Sequence, residues 1–331
     1  MTAVSVVVPT HSRLEILRET VARLLRQDPA GADLELVVVD DHSEDGTYEW
    51  LAEEARREPR LRAVRSPRRG RSAARNAGIA AAAGELLVFL DDDMWAAPGL
   101  TAAHWRAYLE AAGGQVVNVG KMRPWPGNAP TLANLAYDRR LAHIDDCMAQ
   151  DGDDLPCRYL CTGNVSIPRG LLGPGPAFDE GFAGYSFEDT DLGYCLAQRG
   201  VRFRYVPEAY AEHRTDTTIA ALLRKREEAG RSAVRFLQRY PEAAEFMEVP
   251  FEVPGVPATR RREGAGKRLA KAVALAPATG YLLEALLGAA AVLHAPATAL
   301  RCLDRAGYVR YARAYRQAAA RATAGAEESA T

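Results

Sequence analysis

A chain of 331 residues, 48% hydrophobic and 26% charged, can bury one large core or two smaller ones. Its formal net charge of -1 argues against a chain-wide nucleic-acid surface, and five scattered cysteines with no Cys-x-x-Cys pair argue against a zinc site or a disulfide framework. The charge is uneven: Arg260 to Thr331 holds 12 Lys/Arg against 5 Asp/Glu, a net of +7, and the rest holds 30 against 38, a net of -8. That split suggests an acidic body and a basic C-terminal portion with separate jobs. Met1-Thr2-Ala3-Val4-Ser5 carries no basic segment leading into an apolar stretch, so no secretory signal is expected and a cytoplasmic location is.

Val4-Ser5-Val6-Val7-Val8-Pro9 reads as a strand stopped by proline. Leu14, Leu17, Val21, Leu24 and Leu25 then recur at helical spacing. Leu34 to Val39 is a second apolar run, ending in Asp40-Asp41 and followed by the turn residues Ser43 to Gly46 and a helix to about Arg57. Leu61 to Val64 is a short strand, and Arg71 to Ala83 an Ala-rich helix closed by Gly84. Strands alternating with helices predict a sheet, mostly parallel, flanked by helices. Beyond Asp93 the pattern weakens. Gln115 to Gly120 is a candidate strand, and Pro124, Trp125, Pro126, Gly127 and Pro130 predict a loop over 121–130. Tyr159 to Ile167 reads as extended, Phe187 to Arg199 as a helix and Val201 to Val206 as a strand. Helices are expected from about Thr217, with a Pro-rich break at 250–257 and a disordered tail over 322–331.

The richest segment is Leu86-Leu87-Val88-Phe89-Leu90-Asp91-Asp92-Asp93. A buried strand running into three carboxylates puts like charges where open α/β sheets collect ligands. Asp91 and Asp93 alternate to one side, a pair suited to a hard divalent ion that also holds a phosphate. The plain alternative is a solvated acidic turn.

Six segments together resemble the family 2 glycosyltransferases with their GT-A fold. They are Val4 to Arg13 with its Pro9-Thr10 turn; Val37 to Thr47 with Asp40-Asp41; Arg75-Asn76-Ala77-Gly78 after Gly70; Asp91-Asp92-Asp93 in the place of the family's Asp-x-Asp; Thr162-Gly163-Asn164; and Phe178-Asp179-Glu180 with Glu188 to Leu192. The resemblance covers roughly residues 3 to 215 and implies a catalytic domain over 1–215, with a nucleotide-sugar half (1–115) and an acceptor half (116–215), followed by a helical region over 216–321.

That resemblance implies a metal-dependent, inverting transfer of a sugar from a nucleotide sugar, with a UDP-sugar expected, to an acceptor hydroxyl. Pro9, Thr10, Arg13, Asp40, Arg71, Arg75, Asp91 and Asp92 are then expected on the donor side, with Asp92 also read as a structural residue that points away. Turn capping by Asp40 and a solvated Arg71 are the plain alternatives. Asp93 and the late His213 are the expected metal ligands, and imidazole favours Mn2+ over Mg2+. Asp189 is the expected base, with Glu188 a close alternative, although acidic residues opening a helix also complement its dipole. Trp125, Gly163 and Asn164 are expected on the acceptor side; Trp50 and Trp105 read as core, and His143 with Cys147 as an ordinary helix pair.

The acceptor class stays open among a glycan, a lipid-linked carrier and a small molecule. Basic clusters at 260–262 and 267–268 flank an apolar stretch from Ala272 to Leu300 whose alanines, prolines and Glu284 argue against a membrane span. Peripheral contact with the inner membrane face through 260–321, packing on the catalytic domain, and a homodimer interface are the remaining readings. Two rival functions are a sugar nucleotidyltransferase, disfavoured because Pro9 to Arg13 lacks a glycine-rich phosphate loop, and an inactive nucleotide-binding scaffold.

Overall fold

The computed structural model describes residues 3–112, 114–182, 184–244 and 296–329, and the chain divides into two compact units. The first comprises Met1–Ala129, Tyr137–Ala183 and Glu188–Asp216; the second comprises Pro130–Ala136, Gly184–Phe187 and Thr217–Thr331. Two short earlier segments thus group with the part that begins at Thr217.

In the first unit, β1 (Val4–Thr10), α1 (Leu14–Leu25), β2 (Leu34–Asp40), α2 (Thr47–Arg57), β3 (Leu61–Arg65), α3 (Arg71–Ala81) and β4 (Leu86–Leu90) follow the alternation read from the sequence. Next come β5 (Met94–Ala96), α4 (Leu100–Glu110), β6 (Val116–Pro124), α5 (Leu132–Asp151, in this unit from Tyr137), β7 (Asn164–Pro168), α6 (Arg169–Leu172), α7 (Glu188–Gln198) and β8 (Arg202–His213). The described strands form one sheet in the order β3-β2-β1-β4-β7-β6-β8-β5. β3, β2, β1 and β4 are parallel, whereas β7 runs antiparallel to β4 and β6, and β5 antiparallel to β8, so the sheet is mixed. Strand order reverses at β1, which puts a crevice at the carboxyl ends of β1, β2 and β4.

Alternation along the strands assigns the helices to faces. Val4, Val6 and Val8 of β1 share a core with Leu36 and Val38 of β2, Leu17, Val21 and Leu24 of α1, and Leu51 of α2. The opposite face takes α3, whose Gly78 lies so close that an added Cβ would stand 2.3 Å from Val7 Cγ1. Arg169 stops that helix by donating to the carbonyls of Gly84, Ile79 and Ala82 at 2.7, 3.2 and 2.6 Å.

A local irregularity aims the end of β8. Gly120 and Lys121 of β6 are consecutive but pair with Val206 and Tyr210, so β8 bulges over residues 207–209. The Asn164 amide plugs the bulge, donating to the carbonyls of Lys121 and Ala209 at 3.0 and 2.8 Å. Its oxygen accepts from His104 Nε2 at 2.9 Å. His104 is fully buried on α4, and burial pushes its pKa down to about 4, so the ring is neutral at pH 7. Beyond the bulge β8 pairs with β5, placing His213 opposite Met94.

One expectation for a loop is corrected in part. Residues 121–124 continue β6, because they pair with Tyr210 to His213 despite the nearby prolines. α5 is a helix of 20 residues that the weak periodicity of 132–151 did not announce.

In the second unit, α8 (Ile219–Arg239) is capped by Thr218, whose Oγ1 accepts from Ala221 N at 3.1 Å. Leu223 of α8 packs with Ala299, Leu303, Ala306 and Val309 of α9 (Pro296–Ser329). Gly230 permits the close approach, since a Cβ there would stand 2.3 Å from the Tyr311 carbonyl. The tail expected to be disordered from 322 continues α9 to Ser329. The Pro-rich break, the basic clusters at 260–268 and most of the apolar stretch lie outside the described residues. Among the described residues no helix is long and apolar enough to cross a membrane.

The bulge plug yields a first prediction. In Gly120→Ala the new Cβ would lie 2.3 Å from Asn164 Nδ2 and 2.5 Å from the Ala209 carbonyl. The variant should lose about 1–3 kcal/mol of stability, the usual cost of overpacking, read as a lowered urea midpoint. An unchanged midpoint would show that the plug is dispensable.

Candidate active site

Asp91, Asp92 and Asp93 leave the end of β4, and two arginines divide them. Arg13, just before α1, donates from NH1 to Asp92 Oδ1 at 3.0 Å and to Asp93 Oδ2 at 2.5 Å. Thr10 Oγ1 donates to Asp92 Oδ2 at 2.7 Å, and Thr20 Oγ1 to the Asp92 carbonyl at 2.6 Å. Asp92 is thus buried and saturated by protein donors. Burial and the Asp93 charge push its pKa up to about 6, against the pull of Arg13 and Thr10. For Arg13 burial works against the charge, but Asp92 and Asp93 outweigh it and raise the guanidinium above its ordinary range.

Arg75, on α3, takes the other side. Its guanidinium donates to Glu188 Oε1 at 3.0 Å and Asp91 Oδ1 at 3.3 Å, with Asp189 Oδ1 at 3.8 Å. Only 4% of the Arg75 side chain is exposed. Burial opposes its charge, and Asp189, Asp91 and Glu188 more than restore it. Asn76 pins a second segment, donating to the Phe178 carbonyl and Glu180 Oε1 at 2.9 and 3.0 Å and accepting from Phe178 N at 3.0 Å. Asp189, at the start of α7, accepts from Thr162 N at 3.0 Å and Thr162 Oγ1 at 2.9 Å. Its side chain stays 19% exposed against 5% for Glu188. Burial raises the Asp189 pKa to about 6, opposed by Arg75 and assisted by Glu188.

Across the triad, β5–β8 pairing brings His213 Nε2 to 3.5 Å from Asp93 Oδ1. Backbone bonding fixes that approach, with Arg214 N donating to the Asp93 carbonyl at 2.8 Å. The pair fits a divalent ion: neighbouring donors of an octahedral ion about 2.1 Å away stand about 3 Å apart. A carboxylate oxygen beside an imidazole nitrogen is a donor set that Mn2+ accepts readily. No group of three or more His, Cys, Asp or Glu ligands occurs among the described residues, so an ion here would complete its shell with substrate oxygens and water.

The remaining expected residues fall into two groups. Pro9, Arg71, Asp91 and Gly163 stand at the strand ends of the crevice, and a Cβ on Gly163 would lie 3.5 Å from Asp91 Oδ2. Asp40 has no exposed surface and caps its turn, accepting from Ser43 N at 3.2 Å, with Arg65 at 3.6 Å. Thr10 spends its hydroxyl on Asp92. Asn164 plugs the bulge and offers an acceptor nothing. Trp125 packs edge-on against Trp95 at 4.9 Å, under Arg214 at 5.4 Å, and its N–H joins the chain to the His213 carbonyl at 3.0 Å. Trp50 and Trp105 are half-buried, the first beneath Arg18 and the second stacked on Tyr108. Sequence reasoning missed Tyr137, Asp138 and Thr215, which surround His213; Thr215, two residues beyond it, was the one local signal.

This arrangement defines a class, the GT-A fold with an acidic strand end at its switch point. Mannosyltransferase PcManGT from Pyrobaculum calidifontis, solved in complex with GDP-Man and Mn2+, has a similar fold, with a TM-score of 0.55 at 21% identity, over 93% of this chain and 86% of that one. Residues 5–139 match the family model described as Glycosyl transferase family 2. An uncharacterised glycosyltransferase of Bacillus subtilis (strain 168), YfnE, is 27% identical over 251 residues, 63% of this chain and 64% of its own length. Validoxylamine A glucosyltransferase of Streptomyces hygroscopicus subsp. jinggangensis (strain 5008) is 30% identical over 219 residues, 60% of this chain and 52% of its own. The match therefore spans about half to two thirds of these relatives.

The Arg75 cluster predicts a large stability effect. Arg75→Met keeps the volume but strands Glu188 and Asp189 without a counter-charge. It should cost about 3–5 kcal/mol in urea denaturation at neutral pH. Adding Glu188→Gln should recover part of the loss; no recovery would mean that packing, not charge, sets the cost.

Proposed function

We propose that this chain is a metal-dependent inverting glycosyltransferase that moves a sugar from a nucleotide sugar, a UDP-sugar by expectation, to an acceptor hydroxyl. The observation that carries the reading is the facing pair Asp93 and His213 across from a tethered, partly exposed carboxylate, Asp189. Asp93 and His213 would hold the ion, Mn2+ by preference or Mg2+, which when bound acts as a Lewis acid on the leaving diphosphate. Arg13 keeps Asp93 Oδ2 engaged and leaves Oδ1 toward His213. Asp91, with 40% of its side chain exposed, remains available to the donor.

The reaction is a single displacement. The acceptor oxygen bonds to the anomeric carbon as the bond to the phosphate oxygen breaks, and that electron pair leaves with the diphosphate. Asp189 accepts the acceptor's proton. Thr162 holds both oxygens of that carboxylate through its N–H and hydroxyl, which fixes the direction from which the proton is taken. Its raised pKa makes Asp189 a stronger base than an ordinary aspartate while leaving it mostly ionised at pH 7 to 8.

Thermal unfolding with UDP, GDP, dTDP and CDP, each with and without Mn2+, tests the donor reading. One nucleotide, UDP by expectation, should raise the Tm only with Mn2+, and Asp93→Ala or His213→Ala should abolish the shift. No response to any nucleotide would remove the transferase reading and the nucleotide-binding scaffold with it.

The base assignment predicts a pH profile. Because the carboxylate must be ionised, kcat/KM should fall tenfold per pH unit below about 6 and level off above it. Asp189→Asn should lower kcat by roughly 10²–10⁴ while nucleotide stabilisation persists. Equal activity in Asp189→Asn and loss in Glu188→Gln would transfer the role to Glu188.

A further inference from the structure

We propose that Asp138, Thr215 and Tyr137 form a positioning relay that sets the tautomer and direction of His213 for metal binding. The inference rests on the metal reading above and adds residues to it that lie outside the sequence motifs. His213 Nδ1 is 2.7 Å from Thr215 Oγ1, and Thr215 Oγ1 donates to Asp138 Oδ1 at 3.3 Å. A carboxylate can only accept, so the single hydroxyl proton of Thr215 points to Asp138. The same hydroxyl must then accept from His213, which places the ring proton on Nδ1.

The consequence appears at the other nitrogen. With Nδ1 protonated, a neutral His213 turns the lone pair of Nε2 toward Asp93 Oδ1, 3.5 Å away. Two acceptors facing each other at that distance repel unless a cation lies between them. The relay therefore poises the pair for a metal ion rather than for a direct histidine–aspartate hydrogen bond.

Three further contacts hold the ring in that direction. Tyr137, beside Asp138 on α5, stacks on the imidazole with centroids 4.8 Å apart and planes 26° apart. Asn128 bridges the backbone on both sides, donating to the His213 carbonyl at 3.0 Å and accepting from Thr215 N at 2.9 Å. Trp125 N also donates to the His213 carbonyl at 3.0 Å. Thus the Pro-rich segment that carries Trp125 and Asn128 supports the imidazole, and Thr215 itself is 4% exposed.

The test is Mn2+ affinity, measured by EPR of free Mn2+ with UDP, GDP, dTDP and CDP in turn against nucleotide-only blanks. Thr215→Val, which keeps the shape and removes the hydroxyl, should bind Mn2+ about 10–100-fold more weakly, and Thr215→Ser should restore binding to within a few-fold. Asp138→Asn, whose amide can donate to Thr215 and so reverse the relay, should weaken binding in the same direction and serves if the valine variant does not fold. Wild-type Mn2+ affinity in a folded Thr215→Val, or in Asp138→Asn, would overturn the relay while leaving the metal reading intact. Absence of Mn2+ binding by the wild-type protein with every nucleotide would overturn the metal reading itself, and the relay with it.

Discussion

A buried guanidinium facing three carboxylates is the interaction on which the rest of this site depends. Asp91, Glu188 and Asp189 come from the end of β4 and the start of α7, and packed together they would repel. Arg75 resolves the conflict from a third element, α3, with its side chain almost wholly removed from water. Arg13 does the same for Asp92 and Asp93 from the start of α1. Two cations thus partition one acidic strand end. Asp91 is drawn to the side of the candidate base, and Asp93 is turned toward His213. Without that division the triplet would be a solvated acidic turn.

The second constraint is mechanical. His213 reaches Asp93 only because β8 changes register against β6 and then pairs with β5. The bulge frees carbonyls that a buried sheet cannot leave unpaired. Asn164 satisfies the Ala209 carbonyl and binds Lys121 O, and a neutral His104 satisfies Asn164. A residue from the motif expected to touch acceptor thereby acts one step removed, by shaping the strand that carries a metal-ligand candidate.

Much of the first half was legible because its elements are local. Apolar runs ending in Pro9, Asp40 and Asp91 marked β1, β2 and β4, and each run is buried as a central parallel strand requires. The roles of Arg75 and Asn76 were not legible, since Glu188 and the Phe178 carbonyl, which they bind, lie 113 and 102 residues further on. A basic residue before an acidic strand reads as a phosphate ligand until the fold supplies carboxylates for it. Pairing with β8 overrode the prolines near the end of β6, and α5 buries too few large side chains to announce a helix: Leu141 and Met148, with Ala133, are its buried apolar residues. Asp40 went the way of local chemistry, since the turn that follows it takes its carboxylate.

The adjacent acids Glu188 and Asp189 show how one environment can divide two similar groups. Glu188 gives one oxygen to Arg75, while its other oxygen is buried with no hydrogen-bond partner. Its side chain is 5% exposed. Asp189 keeps nearly four times that exposure and both oxygens on Thr162. Glu188 anchors Arg75, and its charge raises the proton affinity of its neighbour. That is the pattern expected where one carboxylate must exchange a proton and the other must hold the field in which it does so. Asp92 stands to Asp93 in the same relation, buried and saturated behind the member that faces His213. On both sides of the crevice, then, one arginine holds two adjacent carboxylates, and the more exposed member of each pair, Asp93 or Asp189, is the candidate for chemistry.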